Sequence, residues 1–220
     1  MSKFGHIYLT WRSGTGKPRQ AVGVISSGAT SGVTFRYLDE DQLIAAKEQG
    51  FTSYHEFPDL NKTYTTGVLD VFKQRLFKSE RSDYNDFLDF WNIDKKHKDD
   101  TLFLLAHTHG IVPTDNFEFL ADFHLTKHTK FVTEITGLSH IKPAAEMIKA
   151  GDLLRWKKNS SKEDKFQVDV FTKDDIQLGW IKKIHSKIFY KKNAESLKLK
   201  VKAIDKNGVL KRVFVEVYSN

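Results

Sequence analysis

The densest set of metal-ligating side chains in this 220-residue chain is His107-Thr108-His109, with His124 and His128 downstream. Zinc requires three or four convergent imidazoles, thiolates or carboxylates. The spacing fixes no such convergence and the chain has no cysteine, so loop or surface histidines and no metal are expected. Ser13-Gly14-Thr15-Gly16-Lys17-Pro18 contains a Gly-Lys pair of the kind that ends a phosphate-binding loop. That loop needs an earlier glycine where Trp11 stands, and a hydroxyl residue where Pro18 stands. A plain turn is the expectation. The carboxylate runs Asp39-Glu40-Asp41 and Asp99-Asp100 sit in turn-like surroundings, where aspartate caps helices. No serine, histidine and aspartate form a nucleophile elbow, and no clustered carboxylates mark a nuclease. The reading is of a protein that is not an enzyme and takes no cofactor.

Lysine is the residue type whose placement carries most. Leu197-Lys198-Leu199-Lys200-Val201-Lys202-Ala203 alternates strictly, which on a strand sends three ammonium groups to one face and four apolar groups to the other. Lys157, Lys158, Lys182, Lys183, Lys187, Lys191 and Lys192 belong to the same stretch of chain. The charge is lopsided. Residues 1–125 hold 14 Lys and Arg against 17 Asp and Glu, whereas residues 126–220 hold 21 against 11, within a total of +7. A rear part with a balance of +10 has an electrostatic reason to hold phosphates, although lysine on a sheet face also serves solubility.

The elements that position these residues fall into two groups, predicted as modules at 1–125 and 126–220. In the first, strands are predicted over Ile7 to Trp11, Gln20 to Ile25 and Val33 to Tyr37, joined by Gly-rich loops into a small meander. A short helix or turn is predicted over Asp39 to Gly50, and helices within Gly67 to Trp91. Thr101 to Ala106 fits helix or strand, and Phe117-Glu118-Phe119 a brief strand. In the second, six strands are predicted: Phe131 to Leu138, Asp152 to Lys157, Phe166 to Phe171, Gln177 to Ile181, Leu197 to Ile204 and Arg212 to Tyr218. Lys182 to Asn193 is predicted as one helix, and Asp205-Lys206-Asn207-Gly208 as a hairpin turn. The fold class is α+β, mostly β, with a barrel-like rear part. No apolar run is long enough to span a membrane, there is no signal-peptide pattern, and a cytoplasmic location is expected.

Thr133 to Asn220 resembles a HIRAN domain. Glu134-Ile135-Thr136-Gly137-Leu138 is similar to its opening strand, and Asp152-Leu153-Leu154-Arg155-Trp156 to the Leu-rich strand that follows. Asp164-Lys165-Phe166-Gln167-Val168-Asp169-Val170 resembles the central signature, and Leu178-Gly179-Trp180-Ile181-Lys182-Lys183 the segment that opens a short helix. The resemblance implies a small OB-like or SH3-like barrel that binds DNA, in some members at the 3′ end of a single strand. It assigns the carboxylate role to Asp164 and the phosphate-binding role to Lys183, with Lys182 beside it. Two stacking tyrosines of the family are replaced here by Glu163 and His140, so backbone contact through lysine is implied rather than end reading. The DNA-binding candidates are therefore Lys182, Lys183, Asp164, His140, Lys157, Lys158, Lys187, Lys198, Lys200 and Lys202.

Phe4 to Phe123 resembles the N-terminal subdomain of HipA-type serine/threonine kinase toxins. The similar pieces are Val22-Gly23-Val24, Val33-Thr34-Phe35-Arg36-Tyr37, Phe57-Pro58-Asp59-Leu60, Phe72-Lys73-Gln74-Arg75-Leu76 with Arg81, and Thr114-Asp115-Asn116-Phe117-Glu118-Phe119. Nothing after Phe123 resembles the kinase core, so no kinase activity is implied, only a protein partner for this module. The combined expectation is a bacterial or phage adaptor: a barrel holding DNA, single-stranded or end-containing and with low specificity, and a front module holding a protein. The alternative is an inhibitor or regulator of a HipA-like toxin, in a toxin–antitoxin setting, or of a restriction or CRISPR defence enzyme.

Overall fold

A computed structural model describes residues 3–159, 164–207 and 209–219; Glu163 and Gly208 lie outside them. The chain divides into two compact units, Phe4–Ala121 and Asp122–Asn220, the second taking in Lys3. The architecture is α+β and mostly strand, with a four-stranded sheet in the first part and a closed six-stranded barrel in the second.

The first unit's sheet is built from β1 (Phe4–Trp11), β2 (Gln20–Gly28), β3 (Gly32–Tyr37) and β4 (Phe117–Phe123), in the order β3-β2-β1-β4. Alternation buries Ile7 and Leu9 on β1, while β2 buries the consecutive run Val22 to Ile25. Gly23 is required by a close approach: a Cβ there would lie 2.5 Å from the ring of Phe35. Phe35 in turn packs on Tyr37, Phe57 and Phe72, the centre of an aromatic core. The Ser13–Pro18 segment is a turn closed by Lys17 N–H donating to Gly14 O at 3.2 Å.

Four helices complete this unit: α1 (Glu40–Lys47), α2 (Val68–Lys73), α3 (Tyr84–Phe90) and α4 (Thr101–Thr108). Asp39 stands at the N-cap of α1, and Asp100 caps α4 by accepting from Phe103 N–H at 2.9 Å. That cap, with His109 in the left-handed conformation at the far end, makes Thr101 onward a helix where the sequence left helix and strand open.

In the second unit the strands are β5 (Lys130–Thr136), β6 (Leu153–Lys158), β7 (Val168–Phe171), β8 (Gln177–Ile181), β9 (Leu197–Asn207) and β10 (Val209–Ser219). They close in the order β10-β5-β8-β7-β6-β9, each neighbouring pair antiparallel. Leu197, Leu199, Val201, Val213, Val215, Val217, Phe131 and Ile135 fill the inside. Two seams interrupt the ladder: β5 meets β8 over two residue pairs, and β6 meets β9 over two.

A single turn, α5 (Leu138–Ile141), follows β5 and was not expected. Lys182 to Asn193 is not one helix. It breaks into α6 (Lys183–Ser186) and a 3₁₀ turn over Lys187–Tyr190, and a further 3₁₀ turn over Ala194–Ser196 follows it. Ile184, His185, Ser186, Ile188 and Phe189 are all buried, more of the circumference than one face of an α-helix can present to a core. Asn193, at φ 65°, then turns the chain toward β9. No helix among the described residues is long and apolar enough to cross a membrane.

Candidate nucleic-acid interface

Strict alternation does on β9 what the sequence requires of it. Leu197, Leu199 and Val201 point inward, and Lys198 and Lys200 are exposed on the outer face. Lys202 sits where the β9–β10 register slips, between the pairs Val215↔Val201 and Phe214↔Ala203, so it is half-buried and out of the row.

Register then sets the neighbours of that row. Tyr218 on β10 lies between Lys198 and Lys130. Leu153 on β6, 59% exposed, lies opposite Lys200. Arg155 and Lys157 share Leu153's face and sit opposite Phe171 and Asp169 of β7. The outer wall over β10, β9, β6 and β7 thus interleaves cations with Tyr218 and Phe171, the composition a stacking and phosphate-contact surface calls for.

The cations on this wall are not equally available. Arg155 Nη1 is 2.6 Å and Lys157 Nζ 4.0 Å from Asp175, and Lys157 also lies over the Phe171 ring. Lys130 Nζ is 3.1 Å from Glu216. Lys198 and Lys200 make no ion pair among the described residues, although Glu216 of β10 is the cross-strand neighbour of Lys200. Lys158 leaves the wall altogether, because the pleat sends consecutive side chains to opposite faces. It lies over Tyr190 at 5.6 Å and 3.9 Å from Glu195.

Lys182 requires a correction. Its side chain is 7% exposed and its ammonium is 3.2 Å from Glu134 Oε2, while Arg212 Nε meets Oε1 of the same carboxylate at 2.8 Å. Pairing of Ile135 with Ile181 brings Glu134 and Lys182 together at the β5–β8 seam. Lys182 is thus part of an internal ion cluster rather than a group presented to phosphate. Lys183 is exposed on α6, without a carboxylate partner among the described residues, and Lys187 is half-buried.

The expectation that these lysines gather on one surface is also corrected by the topology. In a ring ordered β10-β5-β8-β7-β6-β9, β8 and β9 are three strands apart in either direction. The Lys182–Lys187 segment leaves the barrel from the end of β8, the strand farthest round the ring from β9, which carries Lys198 and Lys200. Asp164 lies just before β7, and its Oδ1 accepts from Phe166 N–H at 2.9 Å, fixing a tight turn. The β7–β8 pairing puts Asp164 and Lys183 at one end of the barrel. His140, exposed on α5 after β5, leaves from the other end. The candidate residues therefore divide between two walls.

A groove of about 310 Å³ opens where β6 and β9 part, lined by Leu154, Arg155, Trp156, Glu195, Leu197 and Lys198. Trp156 Nε1–H donates to Leu197 O at 3.0 Å and bridges the gap. Sequence reasoning missed Arg155, Trp156, Glu195 and Tyr218. Parity with Lys157 carried a signal for Arg155; the others depend on which strands become neighbours.

The histidines are not surface groups as a set. His107 and His109 are buried, 2% and 0% exposed. His107 Nδ1–H donates to Phe103 O at 3.0 Å, and burial pushes its pKa down to about 4, the Phe103 carbonyl opposing. His109 Nδ1 is 3.2 Å from Glu118, which also meets Arg19 Nε at 3.0 Å. Among the described residues no three His, Asp or Glu side chains converge as metal ligands.

No family model, curated protein or solved structure matches the chain.

Proposed function

We propose that the second unit is a non-enzymatic nucleic-acid-binding barrel that holds DNA by its backbone on the β9–β6 wall, within an adaptor whose first unit engages a protein. The observation that carries this reading is the pair Lys198 and Lys200: exposed, on one face, and in no ion pair among the described residues, Glu216 being the cross-strand neighbour of Lys200. The charge balance of +10 beyond residue 125 supports it, as does the resemblance of that segment to a DNA-binding family. Each lysine that meets a phosphate releases a condensed counterion, so affinity falls with salt.

The test is the salt dependence of binding to fluorescent DNA. Lys198→Ala with Lys200→Ala reduces the slope of log K against log salt by about 1.4 for single strands and about 1.8 for duplex. An unchanged slope removes these lysines from the interface and the reading with them.

The division of cations between two walls, with Lys182 locked to Glu134, favours a second reading. In it the molecule regulates a protein, such as a toxin or a defence enzyme, without contacting DNA. A stoichiometric partner that co-purifies regardless of nuclease treatment, with no salt-dependent DNA binding, selects it.

A further inference from the structure

We infer that the groove between β6 and β9 is a base-binding site that takes an unpaired nucleotide and favours bases carrying an exocyclic amine, cytosine above thymine. The inference rests on the nucleic-acid reading of the same wall and adds what that wall recognises. Its volume of about 310 Å³ sits at the lower bound of small-molecule sites, roughly 300 to 1,000 Å³. The groove is shallow and open to solvent, so it offers a resting place for one face of a single base rather than for an extended ligand.

The chemistry of the lining is divided in the way a nucleotide is. Trp156, part-exposed, supplies the apolar face, over a floor formed by the buried Leu154 and Leu197. The indole is held in place before any ligand arrives: its N–H is committed to Leu197 O, and its ring packs edge-on against Phe189 at 4.9 Å. A ring already fixed loses little freedom when a base stacks on it. Lys198 and Arg155 stand at the sides for the flanking phosphates. Arg155 and Asp175 are each about half exposed (52% and 56%), so their pair exchanges readily for a phosphate.

The remaining group is Glu195, an acidic residue in the groove of a basic wall. Its side chain is 77% exposed and its nearest cation, Lys158, is 3.9 Å away. A carboxylate repels the sugar–phosphate chain but accepts a hydrogen bond from cytosine N4. Thymine offers a carbonyl oxygen at that position, and the carboxylate has nothing to receive from it.

The experiment uses the full chain and fluorescein-labelled oligo(dC) and oligo(dT) of about 12 nucleotides, within the range of single-strand sites on such barrels. Fluorescence anisotropy at low salt, in a slightly alkaline buffer that keeps cytosine unprotonated, should show oligo(dC) bound about fivefold tighter. Glu195→Ala removes one negative charge from an exposed 3₁₀ turn, so both oligomers bind it more tightly while the preference falls to about one. Lys198→Ala weakens both equally. Equal affinities in the parent protein, or a preference that survives Glu195→Ala, overturn the base site. If binding is then still governed by Lys198 and Lys200 through salt, the backbone reading stands without it. If neither oligomer binds, both fall together.

Discussion

His107 lies against Phe103 at a ring separation of 4.0 Å and is held neutral by burial, with its proton on Nδ1. Unfolding returns it to an ordinary value of 6.5, so the unfolded chain binds a proton that the fold refuses. The stability this contributes is present above pH 6.5 and is lost as pH falls toward about 4. A decline of about 3 kcal/mol from this residue is expected across that window. Urea midpoints measured through it should fall less steeply in His107→Gln than in the parent. Lys182 makes the opposite point about a charged residue in a basic stretch. Lys182→Ala should lower stability by about 1 to 3 kcal/mol, Arg212 remaining to satisfy Glu134. It should leave the salt slope for DNA where it was. A slope that falls by a full phosphate contact would return Lys182 to the interface.

At the level of elements, much of the outcome is local and was readable. The β9 alternation and the short strands of the meander follow from neighbours within a few positions, whereas Thr101 to Ala106 stayed open between helix and strand. What was not readable depends on partners far along the chain. Arg75 follows α2 and donates from Nε to Gly110 O at 2.9 Å. Both terminal nitrogens meet Asp115, and one reaches Phe117 O at 3.3 Å. This side chain, 6% exposed, ties the end of α2 to the segment between α4 and β4. Arg75→Lys keeps the charge but loses the fork. About 2 to 3 kcal/mol of destabilisation is expected, and about 3 to 5 for Arg75→Ala; thermal unfolding of the two variants checks the order. Lys182 to Asn193 failed as a single helix for a related reason. Helical residue types fill that stretch, but the core claims side chains on too many of its faces.

At the level of the molecule, the charge asymmetry along the chain was legible and its arrangement in space was not. Sequence places Lys183 only fifteen positions from Lys198, while closure of the sheet puts β8, which Lys183 follows, on the opposite side of the ring from β9. Closure is a property of six strands together, and no window of residues contains it. The binding experiment can read this arrangement directly. If the β9–β6 wall alone holds a single strand, Lys183→Ala leaves the salt slope unchanged, while Lys198→Ala with Lys200→Ala reduces it. Equal effects from the two walls would mean that the strand wraps the barrel.

The first turn after β5 shows how tightly one small contact can restrict change in such a barrel. Gly137 holds φ at +83°, and a methyl group there would meet the Trp180 ring at 1.8 Å. Any larger residue at 137 must displace the indole of Trp180, so such a change is tolerated only together with a smaller residue at 180.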